Sequence, residues 1–210
     1  MISWTDYAKF FIGLLAIMNP IGIVPVFISL TLHKTNRQRN TAALHAAITV
    51  AVVLVVSLLM GEGLLGFFGI SVDSFRVAGG ILILLMAISM LHGGISAEKQ
   101  TPDEAHEAEE KEHVGVVPLG IPLLAGPGAI STIIIYSHRG HGLGHHAVLF
   151  GIALVLALLT WLALRAGPLI ADGLGRTGLK IVSRIMGLLL AAIGVEFITN
   201  GLRQLFPGLG

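Results

Sequence analysis

Apolar residues fall into six blocks along the chain, from about Tyr7 to Thr31, Thr41 to Met60, Asp73 to Ile95, Gly115 to Tyr136, Ala147 to Arg165 and Leu179 to Leu202. Each approaches the roughly 20 residues of helix needed to cross hydrocarbon. The connections between them are short and polar or glycine-rich: His33 to Arg39, Gly61-Glu62-Gly63 through Gly66 and Gly69, Ser137 to His146, and Gly167-Pro168 through Gly173 and Gly175. The pattern predicts an all-α membrane protein with six transmembrane helices.

Two blocks are interrupted where a spanning helix should be continuous. Met18-Asn19-Pro20-Ile21-Gly22-Ile23-Val24-Pro25 breaks the first, and Leu124-Ala125-Gly126-Pro127-Gly128-Ala129-Ile130-Ser131-Thr132 breaks the fourth. Proline removes a backbone donor and clashes with the preceding turn, and glycine loosens what remains. In hydrocarbon such a break is tolerable only where the freed groups meet protein, water or a ligand. Helices 1 and 4 are therefore expected to be discontinuous. Paired broken helices in two halves are the best sequence pointer to a transporter's substrate site.

The halves repeat. Asn19-Pro20-Ile21-Gly22 lies over Gly126-Pro127-Gly128-Ala129, Phe75-Arg76-Val77-Ala78-Gly79 lies over Ser183-Arg184-Ile185-Met186-Gly187, and Gly93 falls on Gly201. Three spans per copy is an odd number, so the second copy enters the membrane from the opposite side. The expected organisation is a three-helix repeat at 1–95, an acidic cytoplasmic linker at 96–114 and an inverted three-helix repeat at 115–210. The linker carries Glu98, Asp103, Glu104, Glu107, Glu109, Glu110 and Glu112. It reads as a solvated loop, with a regulatory or calcium-binding role the minor alternative.

Composition narrows the class further. The chain is 54% hydrophobic and 12% charged, against about a quarter charged in soluble domains, and its mean hydropathy is +0.87. Six spans leave no room for a soluble catalytic domain. A net charge of +1 without a basic patch speaks against a nucleic-acid partner. The N-terminus, with Asp6 and Lys9 and no small-residue cleavage site, reads as a retained first span. With the N-terminus outside, the cytoplasmic loops hold Lys34, Arg37, Arg39, Lys99, Lys111, Arg165, Arg176, Lys180 and Arg184, while the outside keeps Lys9, Arg76, Arg139 and Arg203. That asymmetry puts both termini outside the cytoplasm.

At a broken helix, unpaired N–H groups face one way and unpaired carbonyls the other. Two inverted breaks meeting at mid-membrane can hold a zwitterion without charged side chains. Asn19 offers an amide, Ser131 and Thr132 offer hydroxyls, and Gly22, Gly126 and Gly128 leave room for a ligand to approach the backbone. The expected substrate-binding residues are Asn19, Pro20, Gly22, Pro25, Gly126, Pro127, Gly128, Ala129, Ser131 and Thr132, and a small neutral amino acid fits them better than a lipid or a metal cation. The bland alternative is that the prolines are packing kinks. Glu196, inside the sixth block, is the candidate proton-coupling carboxylate. Asp73 and Arg76 have the spacing of a structural ion pair, and Arg184 is expected to snorkel or cap. His45 and His92 are expected at the interface. His138, His141, His145 and His146 could bind a metal through imidazole, yet a glycine-rich loop with no carboxylate or thiolate partner favours a solvated loop. Gly187, Ala191 and Gly194, with Gly79 and Gly80, are expected to pack the two repeats together.

The same residues carry a family resemblance. Asn19-Pro20-Ile21-Gly22-x-x-Pro25 with Phe27, Pro122-Leu123-x-x-Gly126-Pro127-Gly128-Ala129-Ile130, and Arg184-Ile185-Met186-Gly187-Leu188-Leu189 with Glu196-Phe197-Ile198 resemble the signature segments of the MarC family. The resemblance covers essentially the whole chain. It implies a six-span protein of the bacterial inner membrane in a grouping whose SnatA-type members move glycine, alanine and similar substrates. The expected function is a secondary, proton-coupled transporter of small neutral amino acids, with both termini periplasmic. It is not expected to be an enzyme or to need a cofactor or metal. Partners would be the amino acid and membrane lipid, with a homo-oligomer left open. The rivals are an exporter of amino acids, peptides or drugs with the same fold, a non-transporting membrane assembly or stress protein, and a metal transporter using the histidine loop.

Overall fold

The protein's structure, a computed structural model, describes residues 3–31, 34–92, 115–140 and 142–209. Every regular element among them is helical: α1 (Trp4–Met18), α2 (Val24–Leu30), α3 (Asn36–Phe67), α4 (Val72–Leu91), α5 (Gly115–Leu124), α6 (Pro127–His138), α7 (Leu143–Arg165) and α8 (Gly167–Leu205), followed by a 3₁₀ turn at Pro207–Leu209. Four stretches are long and apolar enough to cross a bilayer: α3, α4, α7 and Lys180–Leu205 of α8. The predicted acidic linker, Gly93 and His141 lie outside the described residues.

Local chemistry sets the helix ends. Ser3 and Asp6 cap α1 reciprocally: the Ser3 hydroxyl accepts the Asp6 N–H at 3.3 Å and the Asp6 carboxylate accepts the Ser3 N–H at 3.0 Å. Thr35 and Gln38 repeat the device at the start of α3, which satisfies donors that a helix otherwise leaves unpaired. α5 is wound as a π-helix, and it closes with an Ala125 N–H bonded to the Gly120 carbonyl at 2.9 Å. Pro118 and Pro122 contribute no backbone donors to it.

Three boundaries differ from the hydrophobic pattern. Gly61 to Gly66, predicted as a connection, continues α3, and the turn falls instead at Phe68 to Ile70, where Gly69 has φ +68°. In an apolar setting, breaking backbone bonds costs more than glycine's entropy of about 1 kcal/mol. His145 and His146, predicted in a loop, belong to the first turn of α7. The turn expected at Gly167 to Gly175 reduces to Ala166 and the non-helical Gly175 (φ 59°) within α8.

α4 and α8 form the main seam and run antiparallel. A Cβ on Gly187 would lie 3.1 Å from the Ala87 carbonyl, one on Gly194 would lie 2.9 Å from the Gly80 carbonyl, and one on Gly201 would lie 2.9 Å from the Asp73 carbonyl. These glycines recur every seven residues on one face, so the two backbones touch along the whole contact. Small residues at such a seam let dispersion act at close range where lipid offers no hydrophobic drive. The expected packing role of Gly187, Gly194 and Gly80 is therefore what the structure holds. α3 packs along α7 and α5, and α6 packs against α3, α4, α1 and α7. From Gly128 to Ile135 every residue but Ile130 is buried, so α6 is enclosed by protein.

The seam predicts a contrast among glycines. Gly80→Ala drives a methyl into the backbone of α8 and should lower stability by about 1–3 kcal/mol, the usual cost of overpacking. Gly63→Ala meets open space and should leave stability unchanged or slightly higher. Thermal unfolding of the two variants in the same detergent checks this.

Candidate functional site

The chain leaves α1 at Asn19, whose φ of 46° and ψ of 61° are left-handed. Asparagine tolerates that region better than other side chains because its amide can bond locally. Here Asn19 Oδ1 accepts the Gly22 N–H at 3.1 Å, and the Asn19 amide fills the space that a Gly22 Cβ would need. The expected room for a ligand at Gly22 is thus taken by the turn itself. On the other side, Gly126 precedes α6 in extended conformation with Pro127 in the first turn. That position suits a residue with no N–H to lose.

The two interruptions meet. A Cβ on Gly128 would lie 3.2 Å from Ile17 in the last turn of α1 and 3.1 Å from Ile83 of α4. Gly128 therefore packs helix against helix and offers no open space. Thr132 donates to the Gly128 carbonyl at 2.7 Å, and Ser131 is buried where a Gly79 Cβ would have to fit. Pro20, Gly126 and Ala129 are buried, whereas Pro25 and Pro127 are exposed.

Open volume lies beside the breaks. A cavity of about 570 Å³ runs between α1, α4, α6 and α8, within the roughly 300–1,000 Å³ typical of small-molecule sites. Asp6 and Asn200 both line it, so the start of α1 and the end of α8 lie at the same end of the bundle. Thr132 of the second predicted break borders it, as does Ile17, one residue before the first. A smaller apolar cavity of about 180 Å³ touches Asn19 and Pro20, and Ile12 and Leu189 border both.

The larger cavity carries its own chemistry. Glu196 lines it, but it is exposed rather than deeply buried, and its Oε1 accepts from Asn200 Nδ2 at 2.8 Å. Arg76 lines it too, and its Nη1 donates to Asp73 Oδ1 at 2.9 Å. Arg139 stacks over the Tyr136 ring at 4.4 Å, and Tyr136 packs on Phe10 of α1 with ring centroids 4.6 Å apart. Sequence reading treated Arg76 only as half of an ion pair. A basic residue one turn inside an apolar block was the signal that could have placed it here.

The histidines separate. His138 pairs with Glu62 at 2.9 Å, and His146 Nδ1 bonds the Gly142 carbonyl at 3.1 Å. His145 is buried and meets Tyr7 Oη and the Tyr136 carbonyl at 2.8 and 2.9 Å. A carbonyl only accepts, so Nε2 carries hydrogen and, in the neutral ring, Nδ1 accepts from the tyrosine. His145 thereby ties α1, α6 and α7 together. Among the described residues, no group of three metal-ligating side chains comes together.

Apolar helices of membrane length, a broken-backbone core held inside protein, and charged groups gathered at a cavity define an integral multi-pass membrane protein. Residues 4–206 match the MarC family of integral membrane proteins, and the chain belongs to that family. It is 47% identical over 203 residues to the UPF0056 membrane protein YhcE of Escherichia coli (strain K12), covering 97% of this chain and 94% of that one. It is 40% identical over 201 residues to the UPF0056 membrane protein YvbG of Bacillus subtilis (strain 168), covering 95% of each. The UPF0056 membrane protein MJ1677 of Methanocaldococcus jannaschii is 39% identical over 194 residues, covering 92% of this chain and 94% of that one. No solved structure matches.

The turn at Asn19 makes a graded prediction. Asn19→Ala loses the bond to Gly22 and puts a methyl-bearing residue in the left-handed region, at a cost of about 1–2 kcal/mol. Asn19→Gly loses the same bond without the backbone penalty and should unfold at a higher temperature than Asn19→Ala. Thermal unfolding of both variants measures the difference.

Proposed function

We propose that the protein is a secondary transporter of small neutral amino acids in the bacterial inner membrane. In this reading α1 with α2, and α5 with α6, are two broken spans, which with α3, α4, α7 and α8 make six. The spans form two inverted three-helix repeats with both termini periplasmic. Its support is the pairing of equivalent helices, since α3 packs along α7 and α4 along α8, as a pseudo-dyad in the membrane plane requires. The positive-inside asymmetry supports the orientation.

One observation carries the functional reading. The helix ends that flank the two interruptions touch at Ile17 and Gly128, and a cavity large enough for an amino acid reaches Ile17 from the chain-terminal end of the bundle. A solute entering there passes Glu196 and Arg76 before it meets Thr132 and the enclosed α6. The substrate then rests against the broken helices at the inner end of the cavity, where backbone dipoles are least screened by water. Glu196, exposed to the cavity, is the group that would exchange a proton with the outer solution. The membrane gradients, not the fold, set whether the cycle imports or exports. No step calls for catalysis or a cofactor.

Purified protein in proteoliposomes should move labelled alanine or glycine faster than empty vesicles, in either direction. Gly13 lines the cavity and a side chain there meets nothing within 4 Å. Gly13→Leu should therefore remove most of the flux while leaving the unfolding temperature unchanged. Glu196→Gln should uncouple the flux from an imposed proton gradient. Wild-type flux equal to that of empty vesicles for every neutral amino acid would overturn the proposal.

A further inference from the structure

We infer that Arg76 is the carboxylate-recognition residue of the larger cavity, and that the cavity takes a small dipolar solute bearing a single carboxylate. The inference rests on the transport reading and adds to it the group that selects the solute.

The placement of Arg76 is unusual for a structural ion pair. It sits one turn into an apolar, membrane-length helix with its side chain 11% exposed, where a charge is costly unless it is used. A guanidinium has five N–H donors in a rigid fork. The pair with Asp73 engages Nη1, at 2.9 Å, and Nε is buried without a hydrogen-bond partner among the described residues. Asp73 is the more exposed of the two, at 34%, so it is partly solvated and does not complete the fork. Buried donors are as a rule satisfied, and an orphaned one calls for an explanation. Arg76 lines the cavity, so a carboxylate there can pair with its guanidinium in two parallel charge-assisted bonds once a small turn of the side chain brings the Nε edge to the cavity.

The other charges of the cavity point the same way. Lys9 and Arg139 are exposed, and Arg139 is stacked on Tyr136. They can draw an anion toward the mouth but are well hydrated competitors for holding it. Asp6 is bound within its own cap to Ser3, and Glu196 is held by Asn200. Arg76 is thus the cation most withdrawn from water. Glu196, on the adjoining helix α8, is the anion available to an amino group. The register of the α4–α8 seam sets the two at neighbouring levels, since Gly194 meets Gly80 and Gly201 meets Asp73. Ile17 and Thr132 line the cavity on the side away from the chain termini.

Binding of alanine, alaninamide and lactate to the purified full-length protein, followed by thermal shift and equilibrium dialysis, tests this without a variant. Alanine should bind, lactate should bind more weakly, and alaninamide, which keeps the amine but lacks the carboxylate, should not bind. Arg76→Gln should weaken alanine binding by about 10- to 100-fold, as expected for loss of a charge-assisted hydrogen bond. Arg76→Lys, which keeps the charge without the fork, should weaken it less. The double variant Asp73→Asn with Arg76→Gln replaces the ion pair by an amide pair that can stay hydrogen-bonded, so it should fold and still bind poorly. Alaninamide binding as tightly as alanine, or either glutamine variant binding alanine like the wild type, would overturn the inference and leave the transport reading standing. A wild type that binds and moves no neutral amino acid would overturn both.

Discussion

Where Gly80 meets Gly194, two helices touch through their backbones, and the rest of the bundle takes its dimensions from that contact. Lipid tails are as apolar as leucine, so membrane helices gain little by hiding apolar surface from one another. They gain by approaching closely, and the seven-residue spacing of Gly187, Gly194 and Gly201 makes close approach continuous along the α4–α8 seam. With those two helices locked in register, Arg76 and Glu196 are held at neighbouring levels of one cavity. Neither residue reaches that place through local sequence alone.

The second constraint is that irregular backbone in hydrocarbon must be enclosed. α6 is short and begins at a proline, yet nearly every residue from Gly128 to Ile135 is buried. α3, α4, α1 and α7 supply the enclosure. His145 reinforces it, since its imidazole bridges the Tyr7 hydroxyl and the Tyr136 carbonyl and so fastens α1 and α7 to the end of α6. Burial of that kind is what an apolar solvent demands of irregular backbone.

Much of this was legible in the chain, and the parts that were not share a cause. Apolar blocks and helix ends are properties of local composition: four blocks appear as helices long enough to span, and helix boundaries fall at Asn19-Pro20 and Gly126-Pro127 where the pattern put them. The continuation of α3 through Gly61 was not visible, because glycine breaks helices in water but is tolerated where Ile134 packs on it. The direction of the Asn19 amide was not visible either. A residue able to offer a donor and an acceptor to a ligand can equally offer them to Gly22, and the left-handed turn makes the nearer partner win. His145 was underread for the same reason. Its partners Tyr7 and Tyr136 lie on other helices, and spacing along the chain carries no information about them. For Arg76 the spacing showed the pair with Asp73 but not the cavity that the side chain lines.

On the inverted-repeat reading, the sequence is more symmetric than the structure, and the difference has a physical meaning. Arg76 and Arg184 occupy equivalent places in the two copies, yet Arg76 is largely buried beside a cavity of about 570 Å³ while Arg184 is exposed. The other cavity flanking α1 and α8 is the apolar one of about 180 Å³ that touches Asn19 and Pro20, with Ile12 and Leu189 standing between the two. The tight α4–α8 seam leaves α1 as the element whose position against α8 sets the room between them, and in the arrangement described here the larger share of that room lies at the chain-terminal end.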